Sequence, residues 1–142
     1  MSDTQKLANS ARRHLRAAEE LKTIESAGAQ PGCKAVAGYL FGLAGELAVK
    51  QLMRDAGIPE LPPQQRRQDP YYAHFPLLKT QLSDQLSGRR SEPLKKALAQ
   101  PGPLFHNWST DMRYDHTQEI QERDVDAWCS NARYLVGQIG LF

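Results

Sequence analysis

One acid and one base interrupt the most apolar stretch of this 142-residue chain. Between Ala35 and Gln51 nearly every residue is apolar or small, yet Glu46 and Lys50 stand four apart, on the helical face that also carries Tyr39 and Leu43. Such a pair either supports its own helix, by about 0.2–0.5 kcal/mol, or anchors a group in an oily setting where an unpaired carboxylate would be costly. The pattern predicts a buried Glu46 held by a cation, Lys50 or Arg113. A second concentration of chemistry is LFHNWSTDMRYDHTQ, residues 104–118, rich in aromatic residues, histidine and arginine. Loops positioned by a rigid scaffold are where binding groups gather, and Arg113, Tyr114 and His116 are its candidate binding residues. The guanidinium fork of Arg113 suits a carboxylate or a phosphate. His74 precedes a leucine-rich run and reads either as a satisfied loop residue or as a group that faces phosphate and moves a proton.

Other chemistries lack their residues. The four histidines form no i, i+4 pair, and Cys33 and Cys129 have no ligand-like spacing, so no metal is expected. A P-loop, a dinucleotide-binding glycine fingerprint and a nucleophile elbow are all missing from the sequence, and no cofactor is expected. The net charge of +2 does not diagnose a nucleic-acid binder. Its distribution is uneven: Arg12, Arg13, Arg16 and Lys22 lie early, Arg66 and Arg67 in a loop, and Arg89, Arg90, Lys95 and Lys96 further on. Solvated faces account for these clusters, with a basic groove as the alternative.

The elements that must position these groups follow from periodicity. Residues 1–142 are expected to form one domain, long enough to bury about two thirds of its unfolded surface without disulfides or metal. With no signal peptide apparent, the cysteines are expected as reduced thiols and the protein in the cytoplasm. Helix 1 is predicted to open at Ser2-Asp3-Thr4-Gln5 and to bury Leu7, Ala11, Leu15, Ala18, Leu21 and Ile24, stopping at Gly28. Pro31 then starts a central helix, hydrophobic all round and ended by Gly57-Ile58-Pro59. Gly38, Gly42 and Gly45 share one of its faces and are expected to admit a neighbouring backbone.

The proline-rich run from Ile58 to Pro70 is predicted to be an extended loop. Helix 3 is expected from Pro76 to Gly88 on Leu77, Leu78, Leu82 and Leu86. A short helix, capped by Ser91, should reach Gln100, and an amphipathic last helix should run from Glu122 to Gly140. Trp108 and Trp128 are read as core residues. The sum is an all-α antiparallel helical bundle of four main helices plus one short helix.

These parts, in this order, resemble the HEPN family, small all-α domains of prokaryotic toxin, defence and nucleotidyltransferase-associated proteins. AGYLFGLAGELAVKQLM resembles the family's second helix, His74-Phe75-Pro76-Leu77-Leu78 the opening of the next, and WSTDMRY, Trp108 to Tyr114, the segment before the last. The resemblance implies binding of RNA or nucleotides, a homodimer, and action in a toxin–antitoxin or defence module. Many such domains are metal-independent ribonucleases using an arginine followed, after four to six residues, by histidine. Arg67 and His74, with six residues between them, match that spacing as catalytic residues, whereas Arg113 and His116 have only two between them. The alternative function is a non-catalytic module docking a partner protein, a nucleotidyltransferase or an antitoxin.

Overall fold

A helix apolar on every side has to be covered on every side, and helix α2 (Cys33–Asp55) is the one the others cover. The computed structural model describes residues 3–26, 33–83, 86, 91–99, 104–114 and 120–140. Among the described residues the other elements are α1 (Asp3–Ser26), α3 (Leu77–Ser83), α4 (Glu92–Leu98) and α5 (Glu122–Gln138), with three short 3-10 turns. No strand occurs among the described residues, and the fold is the expected all-α antiparallel bundle. No described helix is long and apolar enough to cross a membrane.

α1 lies along α2 and α5 packs on another side of it. The stripe of α1 is made of small residues at its centre, Ala11 and Ala18, both fully buried, with Leu15 and Leu21 partly buried around them. Ile24 does not belong to that stripe, being 42 % exposed. α5 is amphipathic as expected and buries Val125, Trp128, Ala132 and Leu135 at 3-4-3 spacing. On α3, Leu78 and Leu82 go inward while Leu77 turns to solvent.

The end of α2 follows its local chemistry. Gly57 has φ of +78°, its N–H donates to the Arg54 carbonyl (2.9 Å), and the Ile58 N–H donates to the Met53 carbonyl (3.0 Å). That is a Schellman closure, which a Cβ at residue 57 would strain. The proline-rich run beyond it is not simply extended. It forms two 3-10 turns, Pro63–Gln68 and Pro70–Tyr72, because Asp69, 1 % exposed, ties it together. One Asp69 carboxylate oxygen accepts from the Leu61 N–H (2.9 Å) and the other from the Tyr71 N–H (3.0 Å). The Tyr71 hydroxyl donates to the Ile58 carbonyl (2.6 Å), and burial pushes this phenol up to about 12. Ser91 differs from its expected role too: it sits at helical φ and ψ and makes no side-chain cap.

The glycine face of α2 admits aromatic rings rather than a backbone. An added Cβ at Gly42 would overlap the Trp108 indole, and one at Gly45 the Phe105 ring; at Gly38 it would meet Trp128 at 2.9 Å. Gly42→Ala and Gly45→Ala should each lower stability by about 1–3 kcal/mol through overpacking. Gly137→Ala, where nothing lies within 4 Å, should raise stability by about 0.8–1.0 kcal/mol through helix propensity. Urea denaturation of the three variants beside the parent checks both signs.

Candidate functional site

The acid within the apolar helix is buried, as its setting requires. Glu46 is 2 % exposed, and its two carboxylate oxygens are used on residues that immediately precede α3. Oε2 accepts from the backbone N–H of Phe75 at 2.7 Å, and Oε1 lies 2.8 Å from Nδ1 of His74. A ring nitrogen that close to a carboxylate carries a proton and donates, so Nε2 is the ring nitrogen left over for other partners. The His74 side chain is 53 % exposed. Burial pushes the Glu46 carboxyl above the usual carboxylate range, against the hydrogen bonds from His74 and Phe75 and the charges of His74 and Lys50.

This corrects one of the two expected partners of Glu46, the other, Arg113, having its side chain outside the described residues. The side chain in contact is His74, not Lys50. Lys50, half-buried on the same helix, acts on the carboxylate at longer range and forms no ion pair within 4 Å with a described residue. Burial pulls its ammonium below the usual lysine range, opposed by the negative charges of Glu46 and Asp69. Arg67 does not join the pair. Its guanidinium is exposed on the Pro63–Gln68 turn, and the residue is tied in through its carbonyl, which accepts from Gln81 Nε2 at 3.1 Å. Beside it, Arg66 covers the exposed Tyr72 ring at 5.1 Å. His116, Arg89 and Arg90 lie outside the described residues, as do the side chains of Arg113 and Tyr114.

Next to the pair stands a loop held at several points by hydrogen bonds and ring contacts. Phe75, whose N–H binds Glu46, stacks its ring on Phe105 (4.9 Å between centroids) and presents an edge contact to Trp108 (6.3 Å). The Trp108 indole N–H donates to the Gly38 carbonyl (3.0 Å), and the Trp128 indole N–H to the His106 carbonyl (2.8 Å). Asn131 Oδ1 accepts from the Phe105 N–H (2.9 Å), and Lys79 Nζ donates to the Leu104 carbonyl (3.1 Å). Phe105 and Asn107 are held at φ of +55° and +66°. Asparagine tolerates that region, but a bulky phenylalanine there is an outlier of the kind found at binding sites. Phe105 and Trp108 are buried while His106 and Asn107 between them are exposed. The loop walls a cleft of about 330 Å³ with Pro76 and Lys79.

The composition of residues 104–118 marks this loop, but the candidates it offers, Arg113, Tyr114 and His116, lie in its second half, and His106, Asn107 and Lys79 are not among them. Lone residues in an irregular segment have no periodicity to reveal them. Asp69 could have been found, since an Asp directly before proline is a common N-cap with Pro at the first helical position. No family model, curated protein or solved structure matches this chain.

Removing the Glu46 carboxylate strands a buried N–H. Glu46→Ala should therefore cost about 2–3 kcal/mol, and Glu46→Gln, which keeps one acceptor, should cost less. The sign of the pH effect follows from the raised Glu46 value. The folded state keeps a proton that the unfolded chain has lost, so this contribution is fully present below the usual carboxylate range and fades as pH rises through the raised value. Urea melts across acidic pH should show the advantage of the parent over Glu46→Gln shrinking in that direction.

Proposed function

We propose that this chain is a HEPN-like helical domain that binds RNA or nucleotides within a toxin–antitoxin or defence module, with His74 meeting the phosphodiester. The observation that carries this reading is the Glu46–His74 pair. A carboxylate withdrawn from water fixes one ring nitrogen, and the other stays available to a ligand on a half-exposed side chain. Arg66 and Arg67, exposed on the segment leading to His74, supply guanidinium groups of the kind that position phosphates.

The same pair favours a second reading, in which the domain cuts what it binds. A histidine oriented by a buried acid can take the 2′-hydroxyl proton or return one to the leaving oxygen, and a guanidinium can offset charge on the pentavalent phosphate. Arg67 and His74 are the catalytic residues of that reading, with Glu46 positioning His74. A two-fold homodimer, the commonest closed assembly, would bring an arginine from one subunit to the histidine of the other.

Labelled single-stranded RNA, incubated with and without EDTA, tests these readings. Binding should weaken with salt, and Arg67→Ala should lower the salt slope by about 1. Cleavage should persist in EDTA, leave a 2′,3′-cyclic phosphate and vanish in both His74→Ala and Arg67→Ala. EDTA-resistant cutting that survives both substitutions would remove the residue assignment. The absence of both binding and cutting would favour docking of a nucleotidyltransferase or antitoxin instead. Light scattering that returns a single 15.9 kDa species at micromolar concentration would remove the dimer.

A further inference from the structure

The cleft walled by Pro76, Lys79 and residues 104–109 has a chemical character of its own. Among the described residues its polar side chains are one ammonium, one imidazole, one carboxamide and one hydroxyl, from Lys79, His106, Asn107 and Ser109, and none of the described lining residues is a carboxylate. Lys79 spends one proton on the Leu104 carbonyl and forms no ion pair with any described residue. Burial also pulls its ammonium below the usual lysine range. A partly desolvated cation that meets no carboxylate among the described residues is a group that an incoming anion would stabilise.

The remaining wall is apolar, and the cleft's size of about 330 Å³ falls at the small end of ligand sites, which run from about 300 to 1,000 Å³. The wall is also set in advance. Asn131, Trp128, Trp108 and Lys79 hold the loop in its unusual conformation, so a ligand meets groups that need little further ordering.

We propose that this cleft binds a phosphate monoester carried on a flat apolar body, a nucleoside monophosphate or the 5′-phosphorylated end of a strand. Lys79 and His106 hold the phosphoryl oxygens, Asn107 and Ser109 add hydrogen bonds, and the wall of Pro76 and Leu104 receives the base. The inference uses residues that the RNA reading does not, and it stands if His74 neither binds nor cuts.

Titration of the intact chain with AMP, adenosine, a 5′-phosphorylated trinucleotide and its 5′-hydroxyl counterpart, followed by amide and indole NMR signals, tests it. AMP should move the signals of residues 104–109 and the Trp108 indole saturably, and adenosine should not. His106→Ala removes a side chain with no described hydrogen bond, so it should weaken AMP about tenfold, the worth of one charge-assisted hydrogen bond, with the remaining spectrum unchanged. Lys79→Gln should weaken it similarly, and His74→Ala should bind AMP as the parent does. If the phosphorylated trinucleotide also binds and its hydroxyl form does not, the natural ligand is a strand end; if only AMP binds, it is a free nucleotide. Adenosine binding as tightly as AMP, a lack of saturable shifts, or AMP affinity untouched by both cleft substitutions would overturn the proposal.

Discussion

Two aromatic rings seated on glycines are the contact on which the rest of this fold depends. Trp108 occupies the space over Gly42 and Phe105 the space over Gly45, so residues 105–108 lie directly on the central helix. Helical glycine sacrifices about 1 kcal/mol relative to alanine, and here that loss admits two large rings into the core. Phe105 then stacks with Phe75, and Phe75 places its own N–H on Glu46. The buried acid, the segment before α3 and the strained loop are thus successive consequences of one notched helix face.

Glu46 illustrates how a polar group survives in such a core. Its burial would be prohibitive for a lone carboxylate, but a backbone N–H and an imidazole reach it from a segment nearly thirty residues away. Asp69, equally buried, performs a similar task, accepting two backbone N–H groups to close the proline-rich run. In both cases a buried acid uses its two oxygens to fix a segment that has no helical hydrogen bonds of its own at that point. The residue exposed by the first arrangement is a histidine, and that is why this corner of the molecule has chemistry to offer.

Features governed by short-range chemistry were legible in the sequence. The glycine, isoleucine and proline after α2 announced its closure, and the 3-4-3 apolar spacing of α5 gave its buried side. Glu46 could be expected inside because its whole neighbourhood is apolar. Its partner could not, since no local pattern ties residue 46 to residue 74. The glycines of α2 revealed close packing but not whether a backbone or a ring would approach. Ser91 had the right type for a cap, yet its helical backbone angles leave the side chain in the wrong place. Leu77 and Ile24 fit their periodic stripes and still face water, because each stands near the end of its helix, where the neighbouring elements give out.

The two indole N–H groups carry a consequence for how the molecule comes apart. Each is bonded to a carbonyl, one on α2 and one in the loop, so the loop is fastened to α2 and α5 by separate latches. Hydrogen exchange at the two indoles therefore resolves two kinds of opening. Release of Trp108 reports the loop leaving its glycine seats, release of Trp128 reports α5 parting from the loop, and equal rates at both sites mean that the whole assembly opens as one cooperative unit.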